Sequence, residues 1–351
     1  MKKSLLVLAA LGAFAGAASA QSSVTLFGIV DVNARYTKNG DVKIKSLSTD
    51  GLNSSRLGVR GVEDLGGGLK AGFWLESSLS ADSGAGGSTN NGTNRFWHRR
   101  STVSLLGNFG EIRVGRELTA TFTGFADYDQ FGTNGVADVS HFNAPTTVGV
   151  PVTAGYTNVD TVTRADNMVS YYTPALGGFY ARGSVAAGEG TPGKKHLAGR
   201  AGYAAGPLDV SVTYGTTESV AEEKYKKAIV GASYDFGVFK LTGFGAQAKF
   251  RDAKQNVIQV GGSVPVGAST FRAGYTRVDA KGTIGGASID ANDANQFAIG
   301  YQYDLSKRTA LYSTYAQIKN KGAANFTVAT PPAAVAGQKS QGFEAGIRHS
   351  F

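Results

Sequence analysis

The arginines are the side chains of this sequence best placed to do chemistry. Arg56 and Arg60 flank a Leu57-Gly58-Val59 core, so in an extended chain both project from one face while Leu57 and Val59 project from the other. In the pair Arg99-Arg100, taking Val103 and Leu105 as the apolar face puts Arg100 beside Thr102 and Ser104 on the polar one. A bulge at the start of that segment would exchange the two, so both are candidates. Glu76 shares a polar face with Lys70, Gly72 and Trp74, opposite Leu69, Ala71, Phe73 and Leu75. An arginine stays charged and offers planar donors to carboxylate or phosphate, so a cluster of them points to anion steering rather than bond breaking.

Motifs for other chemistry fail on their context. Gly188-Glu189-Gly190-Thr191-Pro192-Gly193-Lys194-Lys195 matches G-x-G-x-x-G and nearly a P-loop. Lys195 stands where a hydroxyl is required, and a strand pattern follows where the phosphate needs a helix N-terminus. The four histidines, His98, His141, His196 and His349, have no short metal-ligand spacing, and no G-x-S-x-G elbow occurs. Cysteine is absent, which removes disulfides and thiolate metal sites. No cofactor and no metal are expected.

The elements that would carry the arginines are strands. Residues 1–20 read as an export signal: Lys2 and Lys3, the apolar run Leu5 to Ala18, then Ala18-Ser19-Ala20 as a cleavage site. The remaining 331 residues carry 33 basic and 26 acidic side chains, a formal +7 once Lys2 and Lys3 are gone. These charges are scattered singly, which argues against nucleic acid as a partner. Mean hydropathy is −0.13, and no later apolar run could span a membrane as a helix. Yet 49 glycines, 15 tyrosines and 19 phenylalanines accompany only 8 prolines and 2 methionines, a composition for strands and turns.

Period-two alternation recurs throughout. Sixteen segments are expected, near 22–36, 55–63, 68–80, 95–106, 110–116, 166–174, 178–188, 196–205, 207–216, 224–236, 237–251, 254–265, 267–279, 292–304, 307–319 and 338–351. Seven short, turn-rich connections alternate with eight mostly longer ones, of which 117–165 is the longest and 252–253 is the exception. That asymmetry describes an up-and-down meander closed as an outer-membrane barrel. A soluble barrel would bury its apolar faces inward, but sixteen strands enclose more space than side chains fill. The polar face must therefore line water and the apolar face must meet lipid.

The residues also resemble a family. Ser22-Ser23-Val24-Thr25-Leu26-Phe27-Gly28, the run Ser55 to Ala71, Gly110-Glu111-Ile112-Arg113-Val114-Gly115-Arg116, Ser170-Tyr171-Tyr172-Thr173-Pro174, Leu305-Ser306-Lys307-Arg308-Thr309 and the closing Gly346-Ile347-Arg348-His349-Ser350-Phe351 are similar to the general trimeric porins of Gram-negative bacteria, beta-proteobacterial branch. The resemblance runs over the whole chain. It implies an all-β, 16-stranded antiparallel transmembrane barrel at 21–351, with the third long loop, 117–165, folded inward as a constriction. It implies passive diffusion of small hydrophilic solutes and no enzyme activity. It further implies a homotrimer in the outer membrane, in contact with lipid, lipopolysaccharide and the assembly machinery, the last recognising Phe351.

In that family, basic wall residues oppose acids on the inward loop. Arg56 matches the second-strand basic position; Arg60, Arg99 or Arg100, and Arg164 extend the set, and Glu76, Asp127, Asp129 and Asp138 are the acidic counterparts. An arginine-rich wall in a +7 chain gives an expectation of anion selectivity, with small anions or organic acids as permeants. The rivals are a substrate-specific outer-membrane channel and an outer-membrane barrel enzyme. Saturable block by one solute would mark the first, and hydrolysis by purified barrel the second.

Overall fold

A computed structural model describes residues 23–90, 93–149, 159–219, 221–329 and 331–351. The expected signal segment 1–20 lies outside the described residues.

Sixteen strands form one closed antiparallel sheet. In chain order they are β1 (Ser23–Asn39), β2 (Arg56–Gly66), β3 (Leu69–Ser80), β4 (Arg100–Gly107), β5 (Gly110–Leu118), β6 (Arg164–Tyr172), β7 (Phe179–Ala186), β8 (His196–Ala205), β9 (Leu208–Glu218), β10 (Lys224–Asp235), β11 (Lys240–Phe250), β12 (Ala253–Val266), β13 (Ser269–Lys281), β14 (Ala294–Asp304), β15 (Thr309–Asn320) and β16 (Lys339–Ser350). Each pairs with its neighbour in sequence, and β16 closes on β1 from Ile29↔Ser350 to Asn39↔Ser340. Closure leaves no ladder edge at membrane depth, where nothing else could satisfy backbone N–H and C=O groups.

The seam is split. The lower half of β1 pairs with β2 over Ser23–Ile29, and its upper half pairs with an extra strand, Val42–Thr49. The sequence reading placed 37–54 in a loop. The loop instead folds back as a hairpin across the two-residue turn Gly40-Asp41, with Asn39 paired to Val42 and Gly40 at φ +57°, and beyond its return arm Asp31 on β1 accepts the backbone N–H groups of Leu52 (2.9 Å) and Asn53 (2.8 Å).

The outward face is apolar and exposed, as in Val103, Val114, Val230, Ile258 and Phe297. No helix of the described residues is long and apolar enough to cross a membrane; the crossing is made by strands. Phe351 closes the barrel: its N–H donates to Gly28 O and its C=O accepts from Gly28 N–H, both at 3.1 Å. Its ring lies where a Gly28 side chain would otherwise stand.

The hydrophobic core lies inside the barrel, off centre. Residues 119–149 leave β5 and enter the lumen, and residues 159–163 lead into β6. The first stretch begins with the helix α1 (Ala120–Ala126), whose first N–H groups are capped by Thr119 Oγ1, which accepts from Phe122 N–H at 3.2 Å. Phe125, Tyr128, Phe131, Val136 and Phe142 of this segment pack on Ile229, Phe244, Ala246, Val257, Val278, Ala298 and Ile318 of β10–β15. The wall supplies seats by omitting side chains: a Cβ at Gly274 or Gly300 would come within 3.2 Å or 2.9 Å of the Phe131 ring. The long segment thus lies against one side of the lumen and leaves the β2–β8 side open.

Candidate functional site

Between this segment and the opposite wall lies a cavity of about 440 Å³. Its lining includes seven arginines, Arg56, Arg99, Arg100, Arg113, Arg164, Arg182 and Arg200, against three acids, Glu76, Glu117 and Asp127. A second space of about 420 Å³ continues toward the short-turn end, and Trp74, Arg100 and Arg113 line both. Arg60 lines that second space, so arginines follow one path over two consecutive compartments.

Strand alternation puts these side chains inward. Arg113 stands between the exposed Ile112 and Val114, so a single residue's slip would drive its charge into lipid. A charge on the lipid face costs roughly 2–4 kcal/mol at the bilayer midplane, which holds the register.

The acids do not neutralise the arginines one for one. Glu76 accepts from Arg99 Nε at 2.6 Å, from Arg56 Nη1 at 3.5 Å and from Trp74 Nε1 at 3.1 Å. Glu117 holds Arg113 at 2.6 Å and Arg182 at 3.2 Å. Asp127, on the crossing segment, takes Arg200 Nη1 at 2.5 Å. Arg100 and Arg164 have no carboxylate within salt-bridge distance among the described residues. Arg164 donates to Arg99 O at 2.9 Å, and Arg100 donates to Thr102 Oγ1 at 3.0 Å.

Aromatic rings support several guanidinium groups without cancelling their charge. Trp74 stands 4.4 Å from Arg100 and 5.0 Å from Arg60, and Tyr172 stands 4.3 Å from Arg113 and 4.9 Å from Arg182. Cation–π contacts of this kind orient a guanidinium and leave its donors free. His98, between β3 and β4, responds to the same field. Burial first, then Arg164, Arg99, Arg116 and Arg95, lower its pKa to about 4, so the imidazole is neutral at ordinary pH.

Of the residues singled out from sequence, Arg56, Arg99, Arg100, Arg164, Glu76 and Asp127 meet in the one cavity, and Arg60 lines the adjoining one. Arg99 and Arg100 both turn inward, since Arg99 precedes the strand and is free of its alternation. Asp129 and Asp138 stand apart from these arginines. Asp129 is buried against β12, accepting from Gln259 Nε2 at 2.5 Å and Thr133 N–H at 2.6 Å; burial first raises its carboxyl to about 6. Asp138 accepts from the N–H (2.7 Å) and hydroxyl (2.8 Å) of Ser140 and shapes a turn. Both acids therefore organise the crossing segment from within.

Sequence reasoning missed Arg113, Arg182, Arg200 and Glu117. For the three arginines the signal was available: each stands between small or apolar residues, as in Ile112-Arg113-Val114 and Ala181-Arg182-Gly183, whereas Glu117 follows Arg116 and has no such pattern. No cluster of three or more His, Cys, Asp or Glu suited to a metal occurs among the described residues.

Comparison with known proteins places this geometry among channels. The family model for Gram-negative porins matches residues 7–323. Outer membrane porin protein 32 of Delftia acidovorans is 41% identical over 374 aligned residues, covering 100% of both chains. A solved anion-selective porin from Comamonas acidovorans superimposes with a TM-score of 0.80 at 39% identity, over 94% of this chain and 100% of that one. OmpT of Vibrio cholerae in its trimer form shares the fold, with a TM-score of 0.64 at 18% identity over 94% of this chain and 99% of that one.

Proposed function

The chain belongs to the Gram-negative porin family of the outer membrane, and from that footing we propose an anion-preferring diffusion channel whose throat lies where residues 119–149 pass the arginine wall. A porin is a passive channel and carries out no catalysis, so the work of selection falls to the throat. The observation that carries the proposal is the surplus of guanidinium over carboxylate in the lining, with Arg100 and Arg164 unpaired among the described residues.

An anion entering from the short-turn end meets successive guanidinium groups, Arg60, then Arg100 and Arg113, then Arg99, Arg164 and Arg182, and one entering from the other end meets them in reverse. Each replaces part of the hydration shell, and none needs to hold the ion long. Conduction requires several weak sites of this sort rather than one strong one. Low-dielectric walls focus the positive potential along the path, raising anion occupancy and excluding cations. The anion selectivity stated for the Comamonas porin is consistent with this reading.

The same reading includes a homotrimer, assembly through Phe351, and contact with outer-leaflet lipid and lipopolysaccharide. An apolar hollow of about 260 Å³ on the outer face of β1–β4, lined by Val24, Val62, Ala71, Phe73 and Val103, suits a second copy at the first strands. Single-channel conductance tests the selectivity. It should follow anion size when chloride is exchanged for larger anions at fixed cation, and change little when potassium is exchanged for larger cations. The reverse ordering would reject anion preference.

A further inference from the structure

The outside of the barrel carries a row of like charges that the channel does not use. Lys226 on β10 stands directly opposite Lys249 on β11, Lys249 opposite Lys254 on β12, and Lys254 opposite Lys281 on β13. Four lysines thus occupy one register row over four neighbouring strands, whose backbones lie about 4.8 Å apart. All four project outward: Lys226 and Lys249 alternate with the buried, inward Tyr225, Lys227, Ala248 and Phe250.

Like charges directly opposite on adjacent strands are destabilising, so a row of four needs a counter-charge. The protein supplies little. Asp279 lies 3.5 Å from Lys281, and among the described residues Lys226, Lys249 and Lys254 have no carboxylate within salt-bridge distance. The row sits at the long-loop ends of its strands, and the same outward faces continue into the lipid-facing Val230, Ile258 and Val260. A ligand there would meet ammonium groups at one end and apolar side chains at the other.

We propose that Lys226, Lys249, Lys254 and Lys281 bind the phosphate groups of a polyphosphorylated lipid headgroup in the outer leaflet, with its acyl chains on the apolar face below. Continuity with that face favours a lipid over a soluble anion. Several lysines on one multiply charged headgroup give charge-assisted contacts that a single phosphate could not span. The inference deepens the outer-leaflet contact of the preceding reading and rests on the long loops facing outside.

The test measures thermal unfolding of the purified protein in neutral detergent with three additions: a diphosphorylated glycolipid, the same glycolipid dephosphorylated, and inorganic pyrophosphate at equal phosphate. The unfolding midpoint should rise with the phosphorylated lipid alone. In Lys249→Gln/Lys254→Gln the lipid concentration needed for that rise should increase on the order of tenfold or more. Lys249→Arg/Lys254→Arg should retain the response, as should Lys240→Gln at the short-turn end. Channel conductance and ion preference of the double glutamine variant should stay unchanged, which establishes folding and separates this claim from the channel reading. If that variant folds poorly, Lys254→Gln alone should show a smaller shift in the same direction. An unaltered response in the glutamine variants, an equal rise with dephosphorylated lipid, or an equal rise with pyrophosphate would each overturn the proposal.

Discussion

Glu76 and Arg100 face each other in register on β3 and β4, yet they form no ion pair. Glu76 is engaged by Arg99 at 2.6 Å and by Arg56, while Arg100 turns to Trp74, 4.4 Å from its ring centre. The carboxylate thus fixes two guanidinium groups and leaves a third unpaired over an aromatic plate.

Neutralising the unpaired arginines should therefore weaken selectivity without weakening the barrel. Arg100→Gln/Arg164→Gln is expected to lower the anion-to-cation permeability ratio several-fold, with little change in thermal unfolding. A ratio equal to that of the parent protein would remove both residues from the filter.

Replacing Glu76 should act in the opposite direction. Glu76→Gln frees Arg99 and Arg56 and removes a negative charge from the lining, so anion preference should rise. Glu76 is buried between the two guanidinium groups, so the stability cost should approach the roughly 3–5 kcal/mol typical of breaking a buried pair. A shift toward cations in bilayer recordings would contradict the assignment.

The anchoring of the crossing segment should depend on pH through Asp129. Its folded pKa is raised to about 6 from 3.8, so between those values the folded state binds more protons than the unfolded state. Stability then falls as pH rises from about 4 to about 6 and is level above that, with a ceiling of about 3 kcal/mol. Hydrogen exchange at the Phe131 and Thr133 amides, which donate to this carboxylate, should slow on acidification through that window. Asp129→Asn should abolish the pH dependence; its survival in the variant would assign it elsewhere.

Tyr128 should matter to the same anchoring. Its hydroxyl donates to Asp209 at 2.8 Å and lies 3.0 Å from Ser211, both on the wall. Tyr128→Phe is expected to cost about 1–2 kcal/mol and to increase open-channel current noise. Quiet recordings at parental stability would show that packing alone seats the segment.

Strand parity gives a sharper test of topology. Val230→Arg places a charge on the lipid face and should cost roughly 2–4 kcal/mol, reducing folded yield. Ser104→Arg, facing the lumen, should fold normally and narrow the channel. Equal yields would contradict the assigned faces.

The barrel was legible in the sequence because a closed sheet in lipid enforces period-two alternation on every strand, with turn residues between. The hairpin at Val42–Thr49 has a local signal, the turn Gly40-Asp41 after Asn39, but it lies outside the regular series of sixteen barrel strands and so reads as part of one long loop. For the arginines, alternation gives direction but not neighbours. Nothing local reports that Glu117 bridges Arg113 and Arg182, 69 residues apart in sequence. Asp129 reads as one more loop acid until Gln259, 130 residues away, is seen to bury it.

The central claim is that the lining's surplus of arginine makes the throat selective for anions. Reversal potential in a potassium chloride gradient across a planar bilayer tests it most directly. The potential should lie near the chloride equilibrium value and move toward zero in Arg100→Gln/Arg164→Gln. A potential of the opposite sign, near the potassium equilibrium value, would contradict it.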